Sequence, residues 1–379
     1  MSSSTQDLRP FKQAVRQRLL PWFGRVRRPL PWRKNRTPYR VWVAEIMLQQ
    51  TRADQATPYY QRFLKAFPSL RSLAEAPLDR VLKQWEGLGY YSRARRMHET
   101  ARFLVAERNG RFPRTYDGLL ALPGIGAYTA AAVASLAMNI PAAVVDGNVI
   151  RVLSRLMAYT GDARAADGKR RIATWATALM PENRPGDYNE ALMELGATVC
   201  LPRKPLCPTC PLRAVCRAHK KGNPLRYPRP PRRRVVPHKV VGAAVTVRSD
   251  GRLLIARRRD EAMLGGLWEF PGGTLKDEET MRHCIRRELK EELGIEIVVG
   301  EPIITVQHAY SHFTIELHAH WARIRKGRPR VIECSDFAWV TREELGDYAF
   351  SRADIHIIEA LARISTPGGA VPPPRTRLP

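Results

Sequence analysis

The apolar residues of this chain change their spacing once, and that change limits it to two differently built domains. Through residue 218 the stretches WVAEIMLQQT, LDRVLKQWEGL, RRMHETARFLVAER and NVIRVLSRLMAY read as helices, separated by breaks at Pro and Gly. From residue 239 the interval becomes two. VVGAAVTV and RLLIARR flank Ser249-Asp250-Gly251, which predicts a hairpin. In HFTIELHAHWA, Phe313, Ile315, Leu317, Ala319 and Trp321 alternate with Thr314, Glu316, His318 and His320, as in a half-buried strand. RHCIRRELKEEL reads as a helix between strands. The expectation is a multidomain chain: an all-α domain at 1–218, then an α+β domain at 239–365. Residues 219–238, dense in Pro and Arg, read as an extended linker able to touch phosphate, and 366–379 as a disordered tail.

Charge narrows the partner. The 63 Lys and Arg exceed the 36 Asp and Glu, a formal net charge of +27. Such an excess favours a polyanion, most often nucleic acid. MSSSTQDLRPFKQ has no apolar core, so no secretory signal is expected. The uncharged run 118–145 is long enough to span a bilayer, yet Pro123, Pro141, Asn139 and three glycines interrupt it. Two buried helices joined by turns are expected instead, with no membrane partner. Of six cysteines, four fall within 200–216, while Cys284 and Cys334 stand alone. That clustering points to a metal site in a reducing, cytoplasmic setting (nucleoid-associated in a bacterium) rather than to disulfides.

LPGIGAYTAAAVAS places the turn Gly124-Ile125-Gly126 at the start of a helix, where backbone N–H groups suit a phosphate. Further on, the apolar run of PAAVVDGNVIRVLSRL stops at Asp146, followed by Gly147 and Asn148. An unpaired buried carboxylate is costly, and taken alone Asp146 reads as a helix N-cap. Cys200, Cys207, Cys210 and Cys216 give C-x6-C-x2-C-x5-C, a donor set for either zinc or a 4Fe–4S cluster.

Together these stretches resemble the helix–hairpin–helix DNA glycosylases of the endonuclease III superfamily, with the hairpin at about 118–137 and the iron–sulfur loop at 200–216. The resemblance implies a catalytic Asp146, a phosphate-binding hairpin at Gly124 and Gly126, and a 4Fe–4S cluster of structural, DNA-contacting role, with Arg203 and Lys204 near the backbone. LPWRKNRTPYRVWVAEIMLQQT, EGLGYYSRAR and YNEALMELGA resemble, more narrowly, the adenine DNA glycosylases of the MutY type. Tyr128 stands where strand-cleaving members of the superfamily carry a Schiff-base lysine, which implies base removal by water without an efficient lyase step.

Excision of adenine needs an acid on the base side and an anion near the sugar. Glu45 is the candidate acid: Val41, Trp42, Val43, Ile46 and Met47 surround it, and an apolar wall raises a carboxyl pKa. Asp146 is the candidate anion. The resemblance assigns Tyr128, Asn148 and Glu190 to the sugar-side or water network, and Arg28 and Trp32 to the adenine pocket. A base inside a duplex must be flipped out to be reached. The resemblance makes Gln50, Thr51, Leu88 and Tyr90 the wedge that fills the gap, although GLGYY by itself reads as a turn packed by tyrosines.

Residues 273–295 match the full Nudix pattern, G-x5-E-x7-R-E-U-x-E-E-x-G-U. Glu288, Glu291 and Glu292 fall on one helix face, as a hard cation such as Mg2+ requires. MutY-type proteins carry a Nudix-like domain that reads 8-oxoguanine, usually with these glutamates degraded; here they are intact. The domain either recognises the lesion alone, the favoured reading, or also hydrolyses a triphosphate such as 8-oxo-dGTP. HAYSHF resembles the family's lesion reader: Ser311 would bond N7–H and O8, with Tyr310 and His312 shaping the loop. The expected partner is duplex DNA with an A:8-oxoguanine or A:G mispair, bound by a monomer. Tyr128 and the Nudix-like domain argue against a bifunctional pyrimidine-lesion glycosylase/lyase.

Overall fold

A computed structural model describes residues 8–229, 236–310 and 312–364. The chain forms two compact units, Met1–Glu75 with Arg96–Arg233, and Ala76–Arg95 with Arg234–Pro379.

The first unit is helical. It contains α1 (Leu8–Val26), α2 (Pro38–Leu48), α3 (Ala53–Ala66) and α4 (Leu70–Ala74). After the segment lent to the second unit come α6 (Ser92–Arg108, begun in that segment), α7 (Tyr116–Leu120), α8 (Ala127–Ala132), α9 (Gly147–Leu156), α10 (Ala166–Leu179), α11 (Pro185–Thr198) and α12 (Arg217–Lys220). Pro38 at the first turn and the Thr37 hydroxyl, which accepts the Arg40 N–H, start α2. Eight consecutive-face residues of α2 are buried, Tyr39, Val41–Met47 among them, so this helix is core on nearly every side. On α9, Val149, Val152, Leu153 and Leu156 repeat at helical spacing and pack with Val15 and Leu19 of α1 and Leu192 and Leu195 of α11. The uncharged run forms α7, α8 and a π-helical turn at Val133–Ala137. Among the described residues no helix is long and apolar enough to cross a membrane. Residues 219–229 fold onto this unit, with a 3-10 turn at Pro224–Arg226 and Tyr227 buried. Of the rest of the expected linker, His238 already begins a strand, while 230–235 and the expected tail at 366–379 lie outside the described residues.

Among its described residues the second unit combines α5 (Leu78–Trp85) and the turn after it with seven strands and two further α-helices. The strands are β1 (His238–Thr246), β2 (Leu253–Arg257), β3 (Trp268–Glu269), β4 (Gly272–Thr274), β5 (Glu296–Ala309), β6 (Thr314–Lys326) and β7 (Asp336–Val340); the helices are α13 (Met281–Leu293) and α14 (Arg352–Arg363). One sheet has the order β4-β1-β6-β5, the other β3-β2-β7. The predicted hairpin is therefore wrong beyond its tip. A Val247–Leu253 bridge closes the turn, but β1 then pairs with β6 in parallel while β2 pairs with β3 and β7. Burial explains the divergence. Ala243, Val245, Leu253 and Ile255 enter one core with Trp268, Phe270 and Phe350; Ala244, Leu254 and Ala256 enter another beneath Ile285, Leu289 and Leu293 of α13. Strands apolar on both faces need cover on both, which a two-stranded hairpin cannot supply.

Gly196 marks the closest approach of α11 to the start of α9: a Cβ there would lie 2.5 Å from the Asn148 Cβ and 3.0 Å from its Cα. Gly196→Ala should therefore push these helices apart and lower stability by about 1–3 kcal/mol, measured by urea unfolding. An unchanged midpoint would show that the contact yields freely.

Candidate active site

α2 carries Glu45 into the core of the first unit, and the side chain is only 3 % exposed. Burial raises its carboxyl to about 7; the Tyr128 hydroxyl, which donates to Glu45 Oε2, opposes this, while the charges of Glu190 and Asp146 add to the rise. A buried carboxyl with that pKa is a proton donor near neutrality. Tyr128 sits in the first turn of α8, its own pKa driven far up by burial and by the two acids, so it remains a neutral donor. Gly124, at φ +74°, takes the left-handed conformation the hairpin turn needs, and the Thr100 hydroxyl bonds the Pro123 carbonyl at 2.6 Å beside it.

Asp146 is the N-cap of α9, and its two oxygens are differently employed. Oδ1 accepts the Val149 N–H at 2.7 Å, and Oδ2 accepts the Asn148 amide at 2.9 Å. Burial raises its pKa; the backbone N–H groups, the Asn148 amide and the Arg151 charge act against the rise. The segment that leads to it is pinned by Asn189, whose amide oxygen accepts the Val144 N–H at 3.1 Å and whose nitrogen donates to the Ala142 carbonyl and the Ser135 hydroxyl, both at 2.8 Å.

An ionic floor lies on α11. Glu190 pairs with Arg33 (3.1 Å) and Arg36; Glu194 pairs with Arg28 (2.6 Å) and Arg33 (2.8 Å). Arg28 is thus held by Glu194, and Glu190 by two guanidinium groups. Trp32 is buried and meets Tyr60 edge-on at 5.4 Å. Sequence reading singled out Glu190, Arg28 and Trp32 but not Asn189, Arg33, Arg36 or Glu194. The signal was there only as two acids one helical turn apart on α11, Glu190 and Glu194.

The four clustered cysteines are free of disulfides and line one pocket with Arg155 and His219. Burial pushes Cys210 up to about 12, and the neighbouring Cys200, Cys216 and Cys207 add to it. Thiols crowded this way give up their protons to a bound metal group, so the donor set fits one. Among the described residues no three His, Cys, Asp or Glu are gathered around the place of a single ion. Arg155, 3 % exposed, ties the loop to α9: its guanidinium donates to Cys200 Sγ (3.3 Å) and to the carbonyls of Leu201 (2.7 Å), Pro202 (2.9 Å) and Tyr227 (3.0 Å). Arg151, one turn earlier, bonds the Cys200 carbonyl and the Asn148 side-chain oxygen, both at 2.7 Å.

Gln50 and Tyr90 both have left-handed backbones, at φ 59° and 51°. Thr51 follows Gln50 in the turn after α2, while Leu88 is buried and Tyr90 half-buried in the turn after α5. In the lesion-reader stretch Tyr310 stacks on Phe313 at 4.7 Å and meets His308 edge-on at 4.5 Å; His312 is exposed, and Ser311 lies outside the described residues. Within the Nudix box Arg287 binds Glu279 (2.9 Å), Glu288 (2.7 Å) and Glu291 (2.9 Å). Glu292 turns inward, its Oε2 buried without a partner and its pKa driven up by burial and by Glu269 and Glu288. Arg258 is paired with Glu269 beside it.

Residues 43–177 match the HhH-GPD superfamily of base excision DNA repair proteins, and residues 242–360 match the NUDIX domain. The chain is 35% identical over 394 residues to the adenine DNA glycosylase of Rattus norvegicus, covering 90% of this chain and 76% of the relative. To the adenine DNA glycosylase of Homo sapiens it is 34% identical over 396 residues, covering 90% and 72%. A solved thermostable thymine-DNA glycosylase superposes with a TM-score of 0.52 at 31% identity, covering 55% of this chain and 97% of that one. Kinship at this level runs through the helical unit and the Nudix fold alike, and the chain belongs to the adenine DNA glycosylase family.

Proposed function

We propose that this chain removes adenine from duplex DNA by hydrolysing its N-glycosyl bond, and that its substrate is A opposite 8-oxoguanine or G. The observation that carries this is the buried Glu45 carboxyl, held near pKa 7 with Tyr128 on one oxygen and within the field of Asp146. Protonated Glu45 gives its proton to N7 of the flipped base, relieving the negative charge on the departing purine. Asp146 meets the positive sugar carbon, as a stabilising anion or a transient nucleophile; its bonds to Asn148 and Val149 favour the carboxylate against burial and aim it. Tyr128 offers no amine for a Schiff base, so water completes the reaction and an abasic site remains.

The four cysteines hold a 4Fe–4S cluster. Its thiolate charge answers Arg155, which no carboxylate pairs among the described residues. Bound there, the cluster supplies a rigid, DNA-contacting loop. Residues 308–313 read the lesion, with Ser311 bonding the N7–H and O8 that distinguish 8-oxoguanine from guanine. Recognition without hydrolysis is favoured for the Nudix box, because Arg287 already engages Glu279, Glu288 and Glu291.

Base release from A:8-oxoguanine, A:G and A:C duplexes tests this reading. Single-turnover rates should fall as pH rises through about 7, where Glu45 loses its proton, and fall again in acid as Asp146 gains one. Glu45→Gln and Asp146→Asn should each lower the rate by about 10²–10⁴-fold; retained activity in Asp146→Asn would remove Asp146 from the chemistry. Stability gives a second check. The folded pKa of about 7 lies above the ordinary 4.5, so the native state holds the extra proton between those values and loses stability as pH rises through them. Relative to the parent, Glu45→Gln should therefore gain about 3 kcal/mol between pH 4.5 and 7 in denaturant titrations. Ser311→Ala should erode the preference for 8-oxoguanine over guanine about tenfold while slowing A:G excision far less. An unchanged preference would put lesion reading elsewhere. With Mg2+ and 8-oxo-dGTP, no phosphate or pyrophosphate release is expected; turnover abolished by Glu291→Gln would restore the dual-enzyme reading.

A further inference from the structure

The turn after α5 is built from backbone that does not hold itself. Gly87, Gly89 and Tyr90 all take left-handed φ, at 89°, 77° and 51°, and a tyrosine in that region persists only when its surroundings impose it. Part of the imposition is internal: the Trp85 indole and the Arg93 guanidinium donate to the Gly89 carbonyl at 3.1 and 2.9 Å. Phe350 of the same unit adds to it, and its two backbone groups both serve the turn. Its N–H donates to Glu86 Oε1 at 2.8 Å, and its carbonyl accepts the Tyr91 hydroxyl at 3.3 Å. The Tyr91 oxygen in turn accepts the Gly87 N–H at 2.9 Å, and Lys83 bridges Glu86 (2.9 Å) to the Tyr348 carbonyl (2.8 Å).

The next residue, Ser351, faces the other way. It caps α14, donates its hydroxyl to Asp354 Oδ2 at 2.7 Å, and interacts through that hydroxyl with the phenol of Tyr310. Asp354 is itself fixed by the Phe270 N–H at 3.1 Å. Ser351 and Phe350 are buried, so neither has water as an alternative partner. Tyr310 packs against the core that contains Phe350, so a displaced Tyr310 ring has a short route to the turn through Ser351 and Phe350 to Glu86 and Tyr91.

We propose that Ser351, Glu86 and Tyr91 are positioning residues that couple Tyr310 to the turn at 87–90, and that this coupling sets the preference for A opposite 8-oxoguanine over A opposite G. It rests on the lesion-reading role proposed above for residues 308–313 and on the wedge role that the resemblance gives Tyr90.

Single-turnover base release on A:8-oxoguanine and A:G duplexes, with the full chain, tests it by a double-mutant cycle on Tyr91→Phe and Ser351→Ala. Each single variant should lower the A:8-oxoguanine over A:G rate ratio about fivefold with A:G excision retained, and the double variant should match either single. Each should also weaken the quenching of 2-aminopurine placed beside the partner base, which reports wedge insertion. Where Ser351→Ala fails to fold, Ser351→Gly, a milder loss at a helix N-cap, takes its place. Effects that multiply, or an unchanged ratio for Tyr91→Phe where Ser311→Ala lowers it, overturn the coupling. An unchanged ratio for Ser311→Ala as well overturns the lesion-reading role beneath it.

Discussion

A single carboxyl raised to a pKa of about 7 inside an apolar helix governs the first unit. Glu45 is the acid of a helix otherwise buried as Val41, Trp42, Val43, Ile46 and Met47, and desolvation outweighs everything else acting on it. Tyr128 bonds it without neutralising the effect, because a hydroxyl supplies one donor and no charge. The carboxylates of Glu190 and Asp146 push in the same direction as burial. Arg33, the cation that could undo this, is committed to Glu190 and Glu194. The ionic floor on α11 therefore protects the acid by keeping positive charge occupied.

Asp146 illustrates two readings that hold together. It caps α9, satisfying the Val149 N–H, and the same bond leaves its carboxylate fixed at the start of that helix. The helix it starts is also the one that grips the cysteine loop, through Arg151 and Arg155 one turn apart. A rigid helix thus joins the carboxylate to the loop, and Gly196 allows α11 to close on the join.

The second unit concentrates buried acids where the Nudix box meets α14. Glu269 and Asp354 are raised to about 7 and about 6 by burial, against the pull of Arg258. Glu292 adds to this cluster from α13, while Glu288 and Glu291 are taken by Arg287 on the outer side. Glutamates that share a helix face by spacing are divided by what each side of the helix touches.

What was legible in the sequence was local or periodic. The switch of period at 239, the apolar setting of Glu45, the cap at Asp146 and the four-cysteine spacing each reside within a few turns of chain, where geometry follows directly from residue order. The hairpin failed because alternation says that a strand has two faces, not what covers them; its neighbours β6 and β7 come from far along the chain. Arg33, Arg36, Asn189 and Glu194 escaped for the same reason, since the ion-pair partners of the three charged residues and the groups that Asn189 bonds stand more than 40 residues away. Tertiary structure alone decided which cations were spent on α11, which backbone groups of Phe350 were free for Glu86 and Tyr91, and which thiols Arg155 would reach. A polar side chain states what it can bond, but only the folded chain determines which partner arrives at hydrogen-bond distance with water excluded.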